Sequence, residues 1–179
     1  MKTLTLLRHA KSSWTDPALR DFDRPLNARG RRAARSMGRE MREQGLAFDR
    51  VLASPAVRVV ETLRDLGDGY GHALHPEFDR RVYMATAELL LDFIHATDDG
   101  VTDLLIVGHN PGLERLALLL TQAGDLRDEI EVKYPTATLA QIIFAVDHWA
   151  EVAAGRGTIA RFTRPRDLDP ALGPDEDTY

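Results

Sequence analysis

Residues 104–107, Leu-Leu-Ile-Val, are an unbroken apolar run that ends at Gly108 and gives way to a polar loop and then a second apolar segment. A run so short cannot be a stable helix. Lacking polar alternation, it reads as a strand buried on both faces. The same unit of strand, loop and helix recurs along the chain. Residues 3–7 read as a strand, followed by helical spacing of Ala33, Ala34, Met37 and Met41 within 28–44. Asn27 is placed to cap that helix and Gly45 lies just past its end. Residues 50–53 form a second strand before a helix over 55–66, with Val59, Val60, Leu63 and Leu66 as its buried stripe and the glycines of 67–71 as its break. Residues 73–77 make a weak third strand, Thr86 caps a helix through His95, and 113–120 is a strongly apolar helix. Residues 138–146 and 158–163 are the last strands, expected as a paired edge. Alternating units of this kind predict a three-layer α/β/α sandwich. Its central sheet is mostly parallel, with helices on both faces and an antiparallel edge strand. In such folds ligands bind beyond the carboxyl ends of the strands.

The chain has 179 residues, enough for one domain with a real core, assigned to residues 1–166. Residues 167–179 carry Asp167, Asp169, Asp175, Glu176 and Asp177 and no Lys or Arg. Pro170, Gly173 and Pro174 lie among them, so this stretch is expected to be an acidic, mobile tail. Taking those five acids from the total of 28 leaves 23, equal to the 23 Lys and Arg. A balanced body carries no nucleic-acid footprint. There is no cysteine, which excludes a disulfide framework, a thiolate metal site and a cysteine nucleophile. No segment approaches the ~18 apolar residues that span a bilayer. Arg8 and His9 cut the first apolar run before it could act as a signal peptide, so the expected location is cytoplasmic.

Four segments converge on one expected site: Leu7-Arg8-His9-Ala10, Arg24-Pro25-Leu26, Ser54-Pro55-Ala56-Val57-Arg58 and Gly108-His109-Asn110-Pro111-Gly112. Three of them follow strands and would meet at one sheet edge. Ser54 and Asn110 each precede a proline, as N-caps of helices whose free N–H groups would face an anion. Arg58 opposes the dipole of its own helix, a conflict that a bound anion would remove. Its duller alternative is a pair with Glu61. His9 is well placed to be a neutral nucleophile near pH 7, with Arg8 to neutralise phosphate oxygens. A protonated His109 could donate to a transferring phosphoryl oxygen.

These residues resemble the histidine phosphatase superfamily, in its small branch typified by bacterial phosphohistidine phosphatases. The carriers are Arg8-His9-Ala10, Arg24-Pro25-Leu26 with Arg29-Gly30, Ser54-Pro55-Ala56-Val57-Arg58 with Thr62, Tyr83, and Gly108-His109-Asn110-Pro111-Gly112. The resemblance runs from residue 3 to about residue 140. It implies that His9 attacks phosphorus and that Arg8, Arg58 and His109 complete the pocket. Arg24 would add a phosphate contact, with Asn110 and Ser54 beside it, and water would release phosphate. It implies no metal and no cofactor. Ala10 stands where the wider superfamily has glycine.

Larger members place an acid in a long segment after the third strand. Here only residues 78–102, about 25, separate Glu77 from the central strand, too few for an enclosing lid. The remaining candidate acids are Asp21 and Asp23, then Glu77. A protonated imidazole leaving group needs little help from an acid, and an open site suits a phosphorylated protein. The expected substrate is therefore protein phosphohistidine. The alternatives are a small phosphomonoester or phosphoanhydride, or a weakly catalytic phosphoprotein-binding module. Asp21-Phe22-Asp23 lacks the preceding strand of an aspartate-based phosphatase. His72, His75, His95 and His148 share no metal-ligand spacing. Trp14 and Trp149 read as packing residues, and the arginines of 28–44 as a solvated face with Arg39 paired to Glu43.

Overall fold

The computed structural model describes residues 1–173. Among them, six strands form one sheet in the order β3-β2-β4-β1-β5-β6. They are β1 (Lys2–Arg8), β2 (Arg50–Ala53), β3 (Glu77–Phe78), β4 (Asp103–Gly108), β5 (Leu139–Phe144) and β6 (Thr158–Thr163). The first four are parallel. Strand β5 is antiparallel to β1, and β6 is antiparallel to β5, so the expected antiparallel edge is made of two strands.

Period-two alternation sorts the core. On β1 and β4, Leu4, Leu6, Leu104 and Ile106 face one apolar cluster. Leu7, Leu105 and Val107 face the other. Helices α1 (Ala28–Glu43) and α2 (Val57–Tyr70) cover the second cluster with Met37, Met41, Val59, Leu63 and Leu66. The first cluster is covered by α3 (Ala87–His95), α4 (Gly112–Leu120) and α5 (Asp125–Val132). The three-layer sandwich expected from sequence is the observed architecture.

Several local expectations are corrected. The glycines at 67 and 69 do not end α2, which runs on to Tyr70 and stops at Gly71 with φ 101°. Gly69 serves helix packing instead. A Cβ on Gly69 would lie 2.0 Å from the carbonyl oxygen of Arg35, and one on Gly38 would lie 2.1 Å from that of Leu66. The two backbones cross in contact, which only hydrogen at Cα permits. Val60 points outward, with Arg58, Val59, Thr62 and Leu63 on the buried side. Strand β3 is shifted to Glu77–Phe78. Helix α5 was not expected, because its single buried side chain, Ile130, leaves no apolar stripe to read.

The arginine face of α1 is partly engaged by α2. Arg35 pairs with Asp65 at 3.0 Å and Arg31 lies 3.6 Å from Glu61. Arg39 donates to Ser36 at 3.0 Å, where Glu43 was expected as its partner. Trp149 is fully buried, but Trp14 is 75% exposed, so it is no packing residue. The first part of the expected tail is ordered. Pro165–Leu168 forms the short helix α6, Pro170–Leu172 is a 3-10 turn, and Leu172 buries itself with Ala10, Leu26 and Ala33. The rest of that tail, 174–179, lies outside the described residues. No helix among the described residues is long and apolar enough to cross a membrane.

Candidate active site

The sheet register places the two histidines. Arg8 on β1 is paired with Gly108 on β4, so His9 and His109 leave neighbouring parallel strands at the same level. Their ring centroids lie 5.2 Å apart. Ser54 leaves β2 beside them, and Arg58 reaches over from the first turn of α2.

Hydrogen bonds assign the protons. The Nδ1 of His9 lies 2.7 Å from the carbonyl oxygen of Ala10, which can only accept, so Nδ1 carries the hydrogen. The lone pair is then on Nε2, which accepts from Arg58 Nε at 3.3 Å. Burial holds the imidazole pKa well below its usual 6.5, and His109, Arg8 and Arg58 push the same way. His9 is thus a neutral base with its lone pair facing the cationic pocket, the state a nucleophile needs.

Arg58 also donates to Nδ1 of His109 at 3.2 Å. The guanidinium has no acceptor, so His109 carries its hydrogen on Nε2 and donates to Ser54 Oγ at 2.8 Å. Burial, then Arg58, lowers the His109 pKa to about 3. The protonated His109 considered from sequence thus requires a charge that raises this pKa again. An incoming phosphate dianion would favour protonation, as any nearby negative charge does.

Asp21 occupies the mouth. Its Oδ2 accepts from Arg58 at 2.9 Å and from the Tyr83 hydroxyl at 2.6 Å. Its Oδ1 accepts from two nitrogens of Arg24 at 3.0 and 3.2 Å. These donors lower its pKa to about 2 against the cost of desolvation. Arg24 is buried, fixed further by Ser12 Oγ at 2.9 Å, and stacks under the Trp14 ring at 3.4 Å. Arg8 donates to the carbonyl of Tyr134 at 3.0 Å, as does Asn110 Nδ2. Arg8 Nε and Asn110 Oδ1 are buried without a partner among the described residues.

Second contacts hold the loops. Thr62 Oγ1 accepts from the Ala10 amide at 2.9 Å and donates to the Arg58 carbonyl, tying the His9 loop to α2. Gly112 lets α4 start against the carbonyl of Ala85, which a Cβ would approach to 2.0 Å. His9, Arg8, Arg24, Arg58, His109 and Asn110 all line one cavity of about 550 Å³. The carboxylate of Asp21 is the only acidic group on a lining that is otherwise strongly basic among the described residues.

Residues 4–83 match the profile of the histidine phosphatase superfamily (branch 1). An uncharacterized protein of Mycobacterium tuberculosis is 34% identical over 164 residues, covering 89% of this chain and all of that protein. The chain belongs to the histidine phosphatase superfamily. An uncharacterized chloroplastic protein of Arabidopsis thaliana is 34% identical over 166 residues, covering 87% of this chain and 72% of that protein. Among solved structures, a candidate SixA phosphohistidine phosphatase of Agrobacterium tumefaciens superposes with a TM-score of 0.76. It is 28% identical, and the match covers 92% of this chain and 98% of that one. A protein histidine phosphatase SixA complexed with tungstate has the same fold, with a TM-score of 0.76 at 23% identity. That match covers 93% of this chain and 99% of that one. As a member of this superfamily the chain is a phosphatase with a SixA-like fold.

Within that superfamily site, the sequence-predicted residues divide. His9, Arg8, Arg58, His109 and Arg24 are brought together at the cavity. Arg58 pairs with Asp21, not Glu61, whose carboxylate accepts from the Leu26 amide at 2.7 Å. Ser54 is fully buried, is not the N-cap of α2, and touches His109 in place of any ligand. Asn110 lines the cavity, but its amide hydrogens are taken by Tyr134 and, at 3.3 Å, Glu114. The cap of α4 is Pro111. Asp23 pairs with Arg20 at 2.7 Å, and Glu77 pairs with Arg50 at 2.9 Å. Neither lines the cavity. Asp21 does, but as a carboxylate it has no proton to give. Sequence reasoning assigned no role to Tyr83 and misread Trp14. The signal available for Trp14 was an indole set in a polar Ser-Ser-Trp-Thr-Asp loop.

Proposed function

We propose that the chain dephosphorylates protein phosphohistidine through a covalent phosphohistidine on His9. The observation that carries this reading is the His9 tautomer: Nδ1 donates to Ala10, leaving the Nε2 lone pair toward Arg58 in the cavity. In the first step Nε2 forms a bond to phosphorus while the bond from phosphorus to the substrate imidazole breaks. The departing nitrogen takes the electron pair, and a protonated substrate ring leaves as neutral imidazole. In the second step water attacks phosphorus, the bond to His9 breaks, and the proton lost by water goes to phosphate. Arg8, Arg24 and Arg58 offset charge on the phosphoryl oxygens, and His109 donates once the dianion has raised its pKa.

Two features support a protein substrate over a small ester. The carboxyl nearest the reaction, Asp21, is ionised and cannot protonate an alkoxide leaving group. The rim carries exposed Trp14 and Met84, and among the described residues the connection from β3 to β4 holds only a 3-10 turn and α3. A crowd of guanidinium groups also disfavours a further cation, which supports chemistry without a metal. Among the described residues no group of three or more His, Asp or Glu is arranged to hold one.

The test is incubation with a phosphohistidine donor and with a phosphomonoester, with and without EDTA, beside His9→Ala. The expected product is an acid-labile, alkali-stable phosphoenzyme that His9→Ala lacks. Turnover surviving in His9→Ala, or lost with EDTA, defeats the mechanism. Faster turnover of the ester than of any phosphohistidine protein defeats the substrate.

A further inference from the structure

The cavity does not end at the phosphate pocket. Pro135, Thr136, Lys133, Arg164 and Arg166 line the same cavity. Arg164 is committed within the fold, paired to Asp167 at 2.9 Å and Glu129 at 3.0 Å. Lys133 and Arg166 are different. Both are exposed, and neither side chain has a hydrogen bond or ion pair among the described residues. Arg166 acts on Asp167 only through space.

Their positions are tied to the inner pocket by backbone. Lys133 closes α5 and directly precedes Tyr134, whose carbonyl accepts from Arg8. Arg166 stands in α6, between the strand β6 and the buried Leu172. One phosphoryl group can engage the inner arginines, and Lys133 and Arg166 are further cations on the lining of the same cavity. Both are exposed and stand on separate elements, Lys133 at the end of α5 and Arg166 in α6. That arrangement suits side-chain carboxylates on an extended chain, which advances about 3.3 Å per residue. It does not suit a second enclosed phosphate.

We propose that Lys133 and Arg166 form an outer subsite for Asp and Glu side chains flanking the phosphorylated residue, so that acidic segments are preferred substrates. This rests on the phosphoprotein reading above and specifies its substrate class. Each exposed pair contributes little and is screened by salt, so two together should amount to about fivefold in kcat/KM at low ionic strength.

The experiment compares two phosphohistidine peptides of equal length, one flanked by Asp and Glu, one by Gln and Ala. The expected result is about fivefold higher kcat/KM for the acidic peptide, falling toward one with added salt and in Lys133→Ala/Arg166→Ala. The charge-preserving Lys133→Arg/Arg166→Lys should keep it. No preference in the wild type, or a preference unchanged in the alanine variant, overturns the proposal. A second arm measures binding of a labelled, unphosphorylated acidic peptide by fluorescence anisotropy. If no phosphohistidine peptide is turned over yet this peptide binds the wild type and not the alanine variant, the function reading fails and the subsite stands. If it binds both alike or neither, the subsite fails. Asp175, Glu176 and Asp177 follow Gly173, which lines the same cavity. A preference seen only after removal of residues 174–179 would assign these cations to the chain's own acids and overturn the proposal.

Discussion

The Oδ2 atom of Asp21 lies 2.9 Å from a terminal nitrogen of Arg58, so a carboxylate already sits on a guanidinium expected to receive phosphate. Its other oxygen holds Arg24 in the same way. A phosphate oxyanion must displace this carboxylate or share its cations. Asp21→Asn should therefore tighten binding of inorganic phosphate or tungstate by about tenfold, the order of one lost charge-assisted competitor. Isothermal titration calorimetry reads it directly. Weaker binding in the variant would mean that Asp21 holds the arginines in place for the anion.

The depressed histidines make stability depend on pH. The imidazole of His109 has a folded pKa of about 3, below its unfolded 6.5. Between those values the unfolded chain binds more protons, so stability is full above pH 6.5 and declines as pH falls toward 3. At pH 5 this group alone costs about 2 kcal/mol. His9 adds to the loss in the same direction. A thermal scan series should show the midpoint falling from pH 6.5 downward, and His109→Gln should flatten it. Phosphoenzyme formation should meanwhile show no enzyme pKa near 6.5, because His9 stays neutral below it.

Ser54 takes the hydrogen of His109 Nε2 at 2.8 Å in a fully buried position. Ser54→Ala strips that acceptor and leaves a buried N–H unsatisfied, at about 1–3 kcal/mol. The expected kinetic signature is a lower kcat from a misdirected His109, with KM little changed, since Ser54 does not line the cavity. An effect on KM alone would contradict the positioning role.

Gly38 and Gly69 let α1 and α2 touch along their backbones. A methyl at Gly69 would lie 2.0 Å from the carbonyl of Arg35. Gly69→Ala should destabilise by about 3 kcal/mol, as overpacking that only a shift of a whole helix can relieve. Gly45→Ala meets nothing within 4 Å, so its cost comes only from its φ of 66° and should be smaller. Equal denaturant midpoints for the two variants would exclude a close crossing.

What the sequence makes legible follows from what each pattern encodes. The unbroken apolar run of 104–107 and the loops behind each strand reveal which motifs share a sheet edge, because topology requires it. Side-chain direction is not in that pattern. Ser54 and Asn110 precede prolines as caps do, yet the structure spends them on His109 and on the Tyr134 carbonyl. The glycines after Leu66 read as a helix break because a neighbouring helix at contact distance leaves no one-dimensional trace. Leu172 was hidden among acids and prolines, and its burial depends on a cleft built by Ala10, Leu26 and Ala33. The charge of Asp21 could not be placed either, since its pKa is set by Arg24, Arg58 and Tyr83 from distant parts of the chain.

The ladder that pairs Arg8 with Gly108 has a consequence for how such a site can change. The spacing of the two imidazoles is inherited from adjacent strands, while Trp14, Asp21, Met84, Lys133 and Arg166 all lie outside those strands on the connections around the mouth. The two imidazoles are thus held by a different part of the backbone from these residues of the mouth. Changes in the connections that carry Met84, Lys133 and Arg166 would leave the two imidazoles where hydrogen bonding between β1 and β4 keeps them.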